Sequence, residues 1–201
     1  MNRNLQPAKF SLVLKSQFFI VMLGLLFFWF AEIALPEPDI NFLSAVAVGL
    51  IMAILTFLFF WLLFKLRVGL AQSLIKDIRR IAPLFSGYRW WHCACVAALA
   101  GVGEELLFRG VGQVWLGQHF SIPVAIGLTS LIFGLLHYLS FAYFICATLM
   151  SIALGVGYYL SGSLLAVMLW HGVYDFIALM VIVKYPHILD LYSVATTEEN
   201  T

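Results

Sequence analysis

The sequence predicts an all-α fold: a polytopic membrane bundle of about six transmembrane helices plus one amphipathic helix on the cytoplasmic side. Three observations carry this. Of the 201 residues, 63% are hydrophobic and 10% charged, whereas a soluble domain is about 25% charged; the mean hydropathy is +1.00. The apolar residues fall in runs of roughly 20, the length a helix needs to cross a bilayer. Most Lys and Arg residues sit before or between the first runs, a bias that orients a membrane protein with its basic segments in the cytoplasm. The partner implied is membrane lipid. The formal net charge of +1 says little about partners, and no basic tract suggests nucleic acid.

Residues 1–16 are polar, with Arg3, Lys9 and Lys15. Residues 17–35 form the first span; the run is too long for a signal-peptide core and no small-residue cleavage site follows. Pro36-Glu37-Pro38-Asp39 is an acidic turn, and 41–64 is the second span. Residues 65–89 change character. Lys65, Arg67, Lys76, Arg79, Arg80 and Arg89 alternate with Leu66, Leu70, Leu74, Ile78 and Ile81 at helical spacing, the pattern of a helix lying in the membrane surface and stopped by Pro83. The run 90–118 is long for one crossing, and Gly101 and Gly103 are expected to mark a break. Residues 122–138, 141–160 and 164–183 supply the remaining spans, with Pro123 in a first turn and Ser161-Gly162-Ser163 as a tight connection. Lys184 marks a cytoplasmic exit, so both termini of this multi-pass chain are expected in the cytoplasm at the cell membrane. The chain thus divides into 1–89, 90–184 and a polar, loosely ordered tail over 185–201. Cys93, Cys95 and Cys146 lie in apolar runs and read as packing residues rather than a disulfide framework.

Against this background Glu104, Glu105, Arg109, His137, His171 and Asp175 stand out. Each charge at the centre of a span costs roughly 2.5–3.5 kcal/mol to insert, so such residues are functional candidates by default. At about 100° per residue, Glu105 and Arg109 share a face and can pair, whereas Glu104 points about 140° from Arg109 and is left to face something else. Glu104 and His137 are nearly equidistant in sequence from the turn near Phe120, so both lie roughly 25 Å from it. His171 and Asp175 are one turn apart on one face and lie roughly 14 and 20 Å from the turn at Gly162.

A carboxylate beside imidazoles can activate water as a general base, and a second His with a polar neighbour can stabilise an oxyanion. That is a hydrolase with no Ser or Cys nucleophile. The same residues, Glu104, His137 and His171, can also hold zinc with water completing the shell. The residue types do not choose between the two.

Glu104-Glu105-x-x-x-Arg109, Phe133-x-x-x-His137 and His171-x-x-x-Asp175 together resemble, in order and spacing, the three motifs of the CPBP family: CAAX prenyl endopeptidases and related bacteriocin-processing and immunity proteins. The resemblance covers about residues 90–183 and makes 90–184 the catalytic core. It implies a glutamic-type intramembrane endopeptidase without a cofactor. Glu104 and His137 activate water, His171 and residue 175 form the oxyanion site, and Glu105 and Arg109 support them. The eukaryotic prenyl proteases carry Asn where this chain has Asp175. A carboxylate donates only when protonated, so Asp175 either orients His171 or is protonated. The implied substrate is a hydrophobic peptide or membrane-protein tail approaching from the cytoplasmic side. The alternatives are a non-catalytic immunity or scaffold protein of the same fold and a small transporter or proton relay; with few spans and no internal repeat, the transporter fits least.

Overall fold

The computed structural model describes residues 6–189; Arg3 and the segment beyond Leu189 lie outside the described residues. Every regular element among them is helical. α1 (Phe10–Phe30), α2 (Phe42–Lys65), α7 (Phe141–Ser161) and α8 (Leu164–Lys184) are each long and apolar enough to cross a membrane, and the chain is a multi-pass membrane protein. Between them come α3 (Gly69–Ile81), a 3-10 turn at Ala82–Phe85, α4 (Trp90–Glu105), a π-helical segment (Leu106–Gln113), α5 (Val114–Gly117) and the shorter α6 (Ile122–Leu136). The first helix begins at Phe10 rather than at residue 17.

Side-chain caps set several starts. Asn41 Oδ1 accepts from the Ser44 amide at 2.9 Å, Ser140 Oγ from Tyr143 at 3.1 Å, and Ser163 Oγ from Ala166 at 3.3 Å; each satisfies an amide the helix leaves without a partner. Gly162 closes α7 in the left-handed region at φ +60°, a conformation that costs glycine nothing.

α8 lies at the centre, packed between α2 and α4; α1 covers α4, and α6 pairs with α7. Hydrophobic burial does not drive helices together inside lipid, so close approach between small residues does much of the work. A Cβ on Gly101 would lie 2.7 Å from both Gly172 N and Met168 O of α8. The expected break at Gly101 and Gly103 is therefore absent: α4 runs through both, Gly101 admitting α8 and Gly103 admitting Val21 of α1. The irregularity comes later, at Leu106–Gln113. Ala53, Leu154, Tyr158, Val167 and Trp170 form one core cluster, and Trp170 Nε1 donates to Thr56 Oγ1 at 2.8 Å across α2 and α8. The outward faces of α1 and α2, including Phe18, Phe19, Ile51 and Phe59, are exposed, which suits lipid contact.

Charge is segregated. Lys9, Lys65, Arg67, Lys76, Arg80, Arg89 and Lys184 lie at the end where Ala8 N donates to Leu84 O at 2.8 Å. Glu32, Glu37 and Asp39 lie at the other, where Asp39 N donates to Ser161 O at 3.0 Å. α3 is amphipathic, with Ala71 and Leu74 buried and Lys76 and Arg80 exposed; Leu66 falls before it and is exposed. Cys93 and Cys146 are buried, but Cys95 is exposed. The chain after Lys184 first packs back: Leu189, in a 3-10 turn, is buried with Val181 against Phe57, Trp61 and Phe64.

Replacing Gly101 by Leu is expected to force α4 from α8 and cost about 1–3 kcal/mol, read as a lower unfolding midpoint in detergent micelles. Gly69→Ala, where a Cβ meets nothing within 4 Å, should leave the midpoint unchanged.

Candidate active site

Six polar residues from three helical strands of the chain converge at one place. Glu104 and Glu105 end α4, Arg109 sits in the π segment, His137 caps the C-terminus of α6, and His171 and Asp175 lie on α8. Glu104, Glu105, Arg109 and His171 are buried; the side chains of His137 and Asp175 are about a third exposed.

Glu105 Oε1 is the hub. Arg109 Nη1 donates to it at 2.9 Å and His171 Nδ1 meets it at 2.7 Å. A carboxylate paired with arginine only accepts, so His171 carries its proton on Nδ1. Arg109 is held in turn by α7: its Nη2 donates to Ser151 O at 2.7 Å and to Ser151 Oγ at 2.8 Å. One turn further, Gln113 Nε2 donates to Gly155 O at 3.0 Å. The π segment, with its i→i+5 spacing, carries both Arg109 and Gln113 to α7; such insertions are frequent at functional sites.

His137 is fixed differently. Its Nδ1 donates to Phe133 O at 2.9 Å, and its ring stacks on Phe133 with centroids 4.2 Å apart. The Arg109 guanidinium lies 5.4 Å from the same Phe133 ring, a cation–π contact. One phenylalanine thus backs both the histidine and the arginine.

These contacts aim the remaining ring nitrogens inward. Glu104 Oε2 faces His137 Nε2 at 3.7 Å and His171 Nε2 at 3.9 Å. It is buried and makes no hydrogen bond within the described residues. Separations beyond 3.5 Å between such groups are the distances a single water bridges. Asp175 Oδ2 stands 3.5 Å from His171 Nε2, on the side of the ring away from Glu105. Orientation of His171 through Nδ1 therefore falls to Glu105, which the pairing with Arg109 alone does not disclose, and not to Asp175. Among the described residues no group of three His, Cys, Asp or Glu is arranged to hold a metal ion, the set Glu104, His137 and His171 included.

The cluster opens into a cavity of about 390 Å³ between α1, α2, α3, α7 and α8. Phe57, Phe60, Trp61 and Ile78 give it an apolar wall; Tyr143 joins Glu104, His137, His171 and Asp175 at its polar head. Ser151, Gln113, Phe133 and Tyr143 acquire roles here that no motif assigned to them, apart from Phe133 as the first letter of its motif.

A family model described as Type II CAAX prenyl endopeptidase Rce1-like matches residues 86–177, close to half of the chain and all three motifs. The match is consistent with the CPBP/CAAX protease superfamily, and the buried His/Glu cluster is consistent with a catalytic type of arrangement. No curated protein and no solved structure matches the chain.

Glu105→Leu strands Arg109 without its carboxylate in a dry site and is expected to destabilise the protein by about 3–5 kcal/mol. The double variant Glu105→Leu/Arg109→Met should cost less than Glu105→Leu alone, measured by unfolding in micelles.

Proposed function

We propose that this chain is an intramembrane endopeptidase in which Glu104 activates a water molecule, with no resident metal. The observation that carries this reading is the buried Glu104 carboxylate, short of hydrogen bonds, facing two imidazole Nε2 atoms at the head of an apolar cavity. The family-model match over 86–177 raises the same activity.

Each part of the site has a task in this reading. His137, its Nδ1 proton spent on Phe133 O, presents Nε2 to the water and, with Glu104, takes a proton as the water attacks a peptide carbonyl. Glu104 then returns the proton to the leaving amine. His171, held by Glu105, stands on the opposite side of Glu104. Arg109, hydrogen-bonded to the same Glu105 oxygen, holds that carboxylate in place and thereby fixes the ring. The substrate is an extended, apolar peptide or the tail of a membrane protein, since the wall opposite the carboxylates is aromatic and aliphatic and offers little to a polar chain.

In the same reading the helical run from Trp90 to Gly117 and the short α6 also cross, giving six crossings, and the basic end faces the cytoplasm by the positive-inside rule. α3 lies on that surface, so substrate reaches the cavity from the cytoplasmic leaflet.

The activity is tested by comparing peptides released from membranes that carry the wild-type chain or Glu104→Ala, followed by purified enzyme on the peptide so identified. Glu104→Ala and His137→Ala are expected to lower cleavage by at least about 100-fold, and a zinc chelator to leave the wild-type rate unchanged. Variants as fast as the wild type would sink the reading. Loss of activity to chelator, restored by zinc, would replace its water-only mechanism by metal catalysis.

A further inference from the structure

The proposed peptidase leaves a gap: something must donate to the oxyanion, and the site is rich in acceptors. Hydrogen-bond donors can be counted. Arg109 spends Nη1 on Glu105 and Nη2 on Ser151; its Nε is without a partner among the described residues, but Arg109 does not line the cavity. His171 spends its Nδ1 proton on Glu105, and His137 spends its own on Phe133 O. In the neutral ring each Nε2 then bears a lone pair. A second proton on either ring faces carboxylates that accept it, Glu104 for His137 and both Glu104 and Asp175 for His171. Asp175 itself is an acceptor when ionised.

The hydroxyl and amide side chains lining the cavity are Gln17, Tyr143 and Tyr174. Tyr174 packs its ring against Phe60 at 6.1 Å and against the Ala53–Leu154–Trp170 core. It lies in electrostatic range of Asp175 and Tyr143. Tyr143 lines the same cavity as Glu104, His137, His171 and Asp175 and interacts electrostatically with Asp175 and Glu104, which places it among the groups around the position a bound carbonyl would take. Its backbone is pinned: the amide donates to Ser140 Oγ, and that hydroxyl donates to Asp77 of α3.

Resting on the peptidase reading, we infer that Tyr143 is a catalytic residue whose hydroxyl donates to the oxyanion, the role an amide at position 175 would otherwise fill. Water oxygen bonds to the carbonyl carbon, the carbonyl π pair moves onto oxygen, and the phenol proton stays on Tyr143 while hydrogen-bonding to that oxygen. Collapse re-forms the C=O bond and breaks the C–N bond. The amine leaves with the proton that Glu104 took from water.

Two measurements test this. With the peptide whose release depends on Glu104, Tyr143→Phe should lower kcat by about 10²–10³-fold, the usual loss of one oxyanion donor, and leave KM unchanged. Adding Asp175→Asn to Tyr143→Phe should restore part of kcat, because it supplies an amide donor. Independently of turnover, an N-acyl-leucyl trifluoromethyl ketone, whose hydrate mimics the tetrahedral state, should bind Tyr143→Phe at least about 10-fold more weakly than wild type by fluorine NMR. Equal ketone binding to both chains, binding to neither, or a kcat loss that follows Gln17→Leu instead would overturn the assignment. If Glu104→Ala still cleaves, the peptidase reading fails, and the ketone comparison alone then decides the role of Tyr143.

Discussion

The buried pair of Glu105 and Arg109 is the constraint around which the molecule is assembled. Both side chains are almost wholly removed from solvent, where an unpaired charge is far costlier than in water. The pair is held by neighbours on three other helices, although Glu105 Oε2 and Arg109 Nε stay buried without a hydrogen bond among the described residues. Arg109 reaches Ser151 on α7, Glu105 takes the Nδ1 proton of His171 on α8, and Phe133 on α6 lies against the guanidinium. Four strands of the chain are thereby locked to one carboxylate oxygen and its arginine. Elsewhere the helices are joined mostly by glycine contacts and apolar packing, which set distance more than rotation, with single hydrogen bonds such as Trp170 to Thr56 added. The polar hub sets the rotation of α4, α7 and α8 about their axes, and that rotation is what aims Glu104 at the two imidazoles.

Much of this arrangement is written in local spacing. Residues four apart share a helix face, so the proximity of Glu105 to Arg109 and of His171 to Asp175 follows from phase alone. Adjacent Glu104 and Glu105 must diverge for the same reason. Equal distances from a turn bring Glu104 and His137 to one level. Spacing is silent on other points. It cannot say which ring nitrogen of His171 meets which carboxylate, so Glu105 as its partner is not legible. Ser151 and Tyr143 look like any small or aromatic residue in a span, since their roles depend on neighbours far along the chain. Glycine signals are ambiguous too: Gly101 reads equally as a break or as a close contact, and a neighbouring helix decides. The π segment leaves no periodic signature over so short a run, whereas the apolar run at 122–138 is legible and forms the 15-residue α6.

The cavity joins this hub to the charged end of the molecule. Its head is built from Glu104, His137, His171, Asp175 and Tyr143; its wall comes from α2, α3 and α8. α3 carries Lys76 and Arg80 outward and Leu74 and Ile78 toward the cavity, so a single helix faces both the exterior and the cavity. Ser140 links it, through Asp77, to the loop directly after His137. The amphipathic helix and the His137 imidazole therefore belong to one connected unit.

The π segment has an evolutionary corollary. Relative to a regular α-helix it holds surplus chain within one continuous rod, and each residue removed or added turns everything beyond it by about 100°. A deletion within 110–112 would convert the stretch to ordinary helix and swing Gln113 away from Gly155 of α7 while leaving every motif letter and its spacing intact. A descendant of this chain altered in that way would keep the signature of the site without the full geometry that supports it.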